Sequence, residues 1–131
     1  MTDRNLAEKL TDGEAVASVR ERQRESQTIP RADYTKLFRD EVTALAALTD
    51  GKNSSYANDD DALANFRLIE HLSHGRLTTA DGILTRMTDK LQRIVNLHYG
   101  ASNNFESEAD NLMDLAVYAI ILKIHKQRGG R

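Results

Sequence analysis

The residues best suited to chemistry lie in the stretch Glu106-Ser-Glu-Ala-Asp110-Asn-Leu-Met-Asp114-Leu-Ala-Val-Tyr118. Glu106, Asp110, Asp114 and Tyr118 recur at four-residue steps, which on a helix makes one slowly drifting ridge of carboxylates ending in a phenol. Like charges at that spacing repel by about 0.2–0.5 kcal/mol per pair, so a positive surface is expected opposite them. Arg86, Lys90 and Arg93 share one face of the preceding helical stretch and supply it, with Asp89 beside them. Two readings follow. In one, the acidic and basic ridges form an interhelical salt-bridge ladder that fixes register and does no chemistry. In the other, Glu106, Asp110 and Asp114 hold Mg²⁺ by oxygen ligation and serve as the catalytic carboxylates, while Arg86, Lys90 or Arg93 contacts phosphate oxygens.

A second constellation starts at Lys52 in the run Lys-Asn-Ser-Ser-Tyr-Ala-Asn-Asp-Asp-Asp61. Here Lys52 could bind an anion, Tyr56 could stack on a base, and Asp59 to Asp61 could ligate a metal or cap the next helix. The alternative is a polar turn with an N-cap. One turn further on, Asn65 either reads a hydrogen-bonding edge or ties down the loop, and Phe66 is a core residue. His71 and His74 have a spacing that can hold a metal but lack a third ligand motif, and His98 and His125 read as helix-end or surface residues. Glycine-rich phosphate loops, nucleophile elbows and zinc signatures are absent from the sequence, and without cysteine there is no thiol nucleophile and no disulfide framework.

The elements that must position these residues are helical. A chain of 131 residues supports one compact domain with one core. It is 40% apolar and 29% charged with a net charge of -2, a balance that does not favour a broad nucleic-acid surface. The longest apolar run, Leu115 to Leu122, is well short of the roughly 20 residues that span a bilayer, so a soluble, cytoplasmic protein with no membrane contact is expected. Residues 1–30 mix charges (Arg20, Glu21, Arg22, Arg24, Glu25) with scattered apolar positions and read as a charged N-terminal arm or peripheral helix. Such an arm needs something to lie against, which points to a homodimer or larger homo-oligomer.

From Pro30 the pattern changes. Leu37, Val42, Leu45 and Leu48 predict a first core helix over 31–49, ending at Asp50 and Gly51, and 52–61 reads as a loop. Asp60 or Asp61 caps a second helix with Leu63, Phe66, Leu68, Ile69 and Leu72 on its apolar face before Gly75 stops it. Thr78 or Thr79 caps a third, with Asp81 in its first turn and Ile83, Leu84, Met87, Leu91, Ile94 and Val95 at helical spacing to about Tyr99. The last begins near Phe105 and continues through Leu112, Leu115, Ala119, Leu122 and Ile124. The expected fold is all-α: an antiparallel bundle of about four core helices over 31–126, preceded by the arm and followed by a flexible basic tail at 127–131.

The ordered set Lys52, Tyr56, Asp59 to Asp61, then Ala62-Leu-Ala-Asn65-Phe66-Arg67, then Gly82-Ile-Leu-Thr-Arg86-Met-Thr-Asp89-Lys90-Leu-Gln-Arg93, then Glu106 to Tyr118, resembles the nucleotide modification associated domain family. That family is small and common in bacteriophages and their hosts. The similarity covers about residues 35–123, and the motifs in order are more specific than any one alone. The family's loop reads Lys-x-x-Asp-Tyr, whereas Ser55 precedes Tyr56 here; the last-helix pattern is kept by Glu106, Asp110, Asp114 and Tyr118. The family is in turn distantly similar to all-α nucleoside triphosphate pyrophosphatases of the MazG type, whose helices present acidic residues to Mg²⁺ and a triphosphate. Their usual Glu-Glu-x-x-Glu motif has its nearest counterpart in Asp40-Glu41, without the third acid.

The resemblance implies a phage-encoded nucleotide-binding protein, its ligand held between the 52–61 loop and helices three and four. Lys52, Arg86, Lys90 and Arg93 would meet phosphate, Tyr56 or Tyr118 would face base or sugar beside Asn65, and Glu106, Asp110 and Asp114 would hold Mg²⁺ or orient the basic groups. As an enzyme it would hydrolyse a phosphoanhydride with metal-activated water. The alternatives are a non-catalytic viral protein that sequesters a nucleotide signal, and a structural or interaction protein whose charged ridges only set packing.

Overall fold

The structure, a computed structural model, describes the backbone of residues 12–56, 60–102 and 106–131, and the side chains of 13–22, 27–51, 60–102 and 106–131. Among these residues the regular structure is entirely helical: α1 (Asp12–Gln27), α2 (Arg31–Tyr56), α3 (Ala64–Leu72), α4 (Thr79–His98) and α5 (Glu108–Gln127). No helix among them is long and apolar enough to cross a membrane. The chain divides into two compact units, Met1–Val42 and Thr43–Arg131, with the division falling inside α2.

In the first unit, the Tyr34 N–H donates to the Pro30 carbonyl at 2.9 Å, closing the first turn of α2 just after the proline whose fixed φ suits a helix start. Lys36 and Asp40 pair at 3.1 Å on its surface, an exposed contact of small energetic weight. No described residue of this unit is buried: Val16 and Val19 of α1 and Tyr34, Leu37, Phe38 and Val42 of α2 all stand about half exposed. Leu37 and Val42, expected on the apolar face of a first core helix, are therefore not core residues here, and within that set Leu45 is the buried one.

The second unit is organised around α4 and α5. They run antiparallel, since Ala80 at the start of α4 donates to the Arg131 carbonyl beyond the end of α5, while Lys90 further along α4 meets Asp114 early in α5. Both helices begin with a capping box. Thr78 Oγ1 accepts from the Asp81 N–H at 3.1 Å and Asp81 returns a carboxylate oxygen to the Thr78 N–H at 2.7 Å; Ser107 and Asp110 do the same for α5 at 3.1 and 3.2 Å. The buried apolar residues are Leu45 of α2, Ala80 and Ile83 of α4 and Val117 of α5.

Helix α3 packs on the first half of α4 at Gly82. A Cβ there would lie 2.9 Å from Ile69 Cγ2 and 3.2 Å from the Phe66 carbonyl oxygen, so only glycine permits this approach. Phe66 in turn meets Tyr118 of α5 edge to face, with ring centroids 6.0 Å apart. Asp61 organises the start of α3, accepting from the Leu63 N–H at 3.0 Å and from Arg67 Nε at 2.6 Å.

Four boundaries differ from the sequence expectation. Helix α3 starts at Ala64 with Leu63 as its N-cap and no side-chain cap, so neither Asp60 nor Asp61 caps it. Helix α2 does not stop at Gly51 but continues to Tyr56, because one interior glycine and a few Asn and Ser residues each cost about 1 kcal/mol or less, too little to end a helix already propagating. Helix α5 starts at Glu108 rather than near Phe105, so Glu106 lies before the helix and off the ridge of Asp110, Asp114 and Tyr118. Residues 127–131 fold back: Gly130 donates to the His125 carbonyl at 3.0 Å, and the Arg131 carbonyl lies 2.8 Å from His125 Nε2 and 3.0 Å from the Ala80 nitrogen. His125 is therefore buried under its own helix end, not on the surface.

Candidate functional site

Two clusters of candidate residues emerge in the second unit. The first joins α4 to the entry of α5. Lys90, projecting from the α5 side of α4 and buried, places its Nζ 2.9 Å from Asp114 and 3.1 Å from Glu106; Arg93, one turn on and exposed, reaches the same Glu106 oxygen at 2.9 Å. Burial works against the Lys90 ammonium, but hydrogen bonds to Asp114 and then Glu106 outweigh it and hold its pKa above the ordinary lysine value. Two cations thus meet two carboxylates, and the cluster is internally neutral. A hollow of about 420 Å³ beside it is lined by Ala44, Leu48, Glu106, Asp110, Met113 and Asp114.

These positions bear directly on Mg²⁺. A divalent ion held by Glu106 and Asp114 would have to stand where the Lys90 ammonium stands, and Asp110 spends its carboxylate on the Ser107 N–H at 3.2 Å. Among the described residues no group of three or more His, Asp or Glu side chains is placed to hold a metal. The donor set in this arrangement does not fit the ion. Glu106, Asp110 and Asp114 are thus not gathered into one set in this arrangement: the capping box engages Asp110, and the start of α5 at Glu108 leaves Glu106 turned toward Lys90 and Arg93.

The second cluster is the groove between α3 and α4, about 370 Å³, lined by Asn65, Phe66, Leu68, Ile69, Leu72, Leu77, Gly82, Thr85 and Arg86. Its wall is apolar, and its polar side chains are the exposed Asn65 and Arg86, both without a hydrogen-bond or ion-pair partner among the described residues, and Thr85, whose hydroxyl is engaged with the Asp81 carbonyl at 2.8 Å. Two sequence-singled residues, Asn65 and Arg86, are therefore brought together here. Arg86 is separated in role from Lys90 and Arg93, although all three lie on α4. Tyr118 reaches the edge of Phe66 from α5 and braces the wall.

The side chains of Lys52 and Tyr56, and all of Asp59, lie outside the described residues. His71 and His74 are exposed beside Arg67 and Glu70, but Arg67 is held by Asp61, and Glu70 accepts from the Thr79 hydroxyl at 3.1 Å. The hydrogen bonds from Arg67 and then from the Leu63 N–H keep the Asp61 carboxyl below the usual aspartate value. Sequence reasoning missed Asn111, which is fully buried, donates to the Ser107 carbonyl at 2.9 Å and leaves its Oδ1 unpartnered among the described residues. It also missed the Ser107-x-x-Asp110 cap, whose pattern is the same as the Thr78-x-x-Asp81 signal.

Compared with known protein families, curated proteins and solved structures, the chain matches none.

Proposed function

We propose that this chain is a cytoplasmic, phage-type nucleotide-binding protein whose ligand lies in the α3–α4 groove, with Arg86 on phosphate and Asn65 on a hydrogen-bonding edge of the base. The observation that carries this reading is that a guanidinium and an amide, both without a partner among the described residues, line one apolar groove of ligand size. Arginine presents a fork of donors matched to phosphate oxygens, and asparagine offers both a donor and an acceptor to a base edge. The ordered motifs that resemble the nucleotide modification associated domain family support the same ligand class. An antiparallel bundle built on the α4–α5 pair is the scaffold this reading assumes.

The internal neutralisation of Lys90, Arg93, Glu106 and Asp114 favours binding without turnover over Mg²⁺-dependent hydrolysis. The test is a thermal-shift and product assay on the full chain against a nucleotide panel, with and without Mg²⁺. A binder shifts its melting temperature and releases no product. Arg86→Ala and Asn65→Ala each weaken binding tenfold or more at unchanged helicity, since both side chains are exposed. Unchanged binding in both variants overturns the site, and Mg²⁺-dependent release of phosphate or pyrophosphate overturns the absence of turnover.

Self-association belongs to the same proposal. The exposed apolar face of α2 in the first unit, Tyr34, Leu37, Phe38 and Val42, supports a second copy of this chain as its partner.

A further inference from the structure

Resting on the self-association proposed above, we infer that the apolar face of α2 in one copy, Tyr34, Leu37, Phe38 and Val42, docks on an exposed flank of the α4–α5 pair in a second copy, and that a two-fold axis repeats the contact. The receiving surface is Leu84, Leu91 and Val95 of α4 with Leu112 of α5, each about half exposed.

The flank follows from how α4 and α5 meet. On α4, Ile83, Met87, Lys90 and Ile94 recur at helical spacing and form the seam toward α5, with Ile83 and Lys90 buried. Helix α3 approaches on one side of that seam, at Gly82. Leu84, Leu91 and Val95 each lie one residue past a seam position, which turns them about 100° round the helix, to the side away from α3. On α5 the seam is Asn111, Asp114, Tyr118 and Ile121, and Leu112, Leu115, Ala119 and Leu122 lie one residue past it. Because the helices run antiparallel, residues one step past the seam on each share one side of the pair. Asp81 and Lys126 stand in the same relation to the buried Ala80 and His125, and they do meet: after the Thr78 N–H and hydroxyl, Lys126 also lowers the Asp81 carboxyl.

The flank is suited to a helix. Its α4 positions, completed by Thr88, and its α5 positions hold no charged residue. Two such ridges side by side leave a groove in which the apolar face of a third helix packs. Helix α2 supplies that face: from Tyr34 to Val42 it runs about 12 Å along the helix, within the roughly 17 Å from Leu84 to Val95.

Each chain carries both faces, so a two-fold dimer satisfies both faces of both copies at once. Repeated by the axis, burial of these half-exposed side chains takes about 800 Å² of apolar surface from water, and with a polar rim in the usual proportion the interface reaches about 1,400 Å², within the range of stable complexes. Pairing the two α2 faces with each other would bury only part of this and leave the α4–α5 flank in water.

The experiment is sedimentation of the full chain across a concentration series. Leu91→Lys and Val95→Lys, both at exposed positions, are each expected to associate at least tenfold more weakly than wild type at unchanged helical circular dichroism, as is Phe38→Glu. An equimolar mixture of Leu91→Lys and Phe38→Glu associates more tightly than either variant alone, because the intact α2 face of the first meets the intact flank of the second. Ile120→Lys, half a turn round α5 from Asn111, associates like wild type. Wild-type association in both Leu91→Lys and Val95→Lys overturns this inference and leaves self-association standing. A mixture no tighter than its parts overturns the pairing of unlike faces, and an equal loss in Ile120→Lys overturns the choice of flank. A wild-type chain that is monomeric at all concentrations overturns both this inference and the self-association it rests on.

Discussion

At the level of single residues, Lys90 is the clearest case of a side chain whose neighbours define it. Its ammonium is nearly out of water and its charge is met by Asp114, equally buried, and by the half-buried Glu106. Removing one partner of a buried pair leaves an uncompensated charge, whereas removing both can be close to neutral. Lys90→Met is therefore expected to destabilise the chain by about 3 kcal/mol, toward the low end of the usual range because Glu106 keeps Arg93 and solvent. The double variant Lys90→Met, Asp114→Leu should recover most of that loss, which chemical denaturation of the two variants will show. The pH dependence has a definite sign. A lysine whose pKa is raised on folding contributes stability in full below its unfolded value of about 10.4 and loses it as pH climbs through the higher folded value. Denaturation midpoints of the wild type should fall across that alkaline window, and the fall should be smaller in Lys90→Met.

Among the helices, the starts are set by side-chain chemistry and the ends by the weakness of competing signals. Thr78 and Ser107 each satisfy a free N–H at the head of α4 and α5, so Thr78→Ala and Ser107→Ala should each cost about 1 kcal/mol, read as a drop in melting temperature. Asp81, held below the ordinary aspartate pKa by the Thr78 N–H, and Asp61, held there by Arg67, add stability that is present above the unfolded value of about 3.9. It is lost as pH falls through their lower folded values, and Thr78→Ala should blunt the Asp81 part of that acid-side loss. The head of α4 was legible in the sequence because Thr78, Asp81 and the apolar run from Ile83 all point the same way. At the head of α5 the sequence misleads, because Phe105 and Glu106 also look helical, and the Ser107-x-x-Asp110 pair fixes the true start. That shift of two or three residues changed the candidate site: it took Glu106 off the ridge and gave Asp110 a structural task. The meeting of Arg86 with Asn65 was not legible either, since spacing on α4 groups Arg86 with Lys90 and Arg93, and only the packing of α3 at Gly82 shows which neighbour each one has.

For the whole molecule, the balance between buried and exposed apolar surface is what supports the proposed self-association. The second unit buries Leu45, Ala80, Ile83 and Val117, a small core for its length, while the first unit buries no described residue. Apolar side chains at Tyr34, Leu37, Phe38 and Val42 recur at i, i+3, i+4 and i+8 along α2, the spacing of a face made to meet another helix. On the preceding helix α1, Arg20, Glu21 and Arg22 alternate in sign, which suits a two-fold contact in which each copy offers both charges to the other. The full chain is accordingly expected to sediment as a dimer or larger species at micromolar concentration. Phe38→Glu, at a position 57% exposed, introduces charge into that face without disturbing a core, so it should shift the chain to monomer while its helical circular dichroism stays the same. Leu37→Glu, 52% exposed, should do likewise. A wild-type chain that sediments as a monomer at all concentrations rules out the second copy, and association that survives both substitutions moves the contact to another surface.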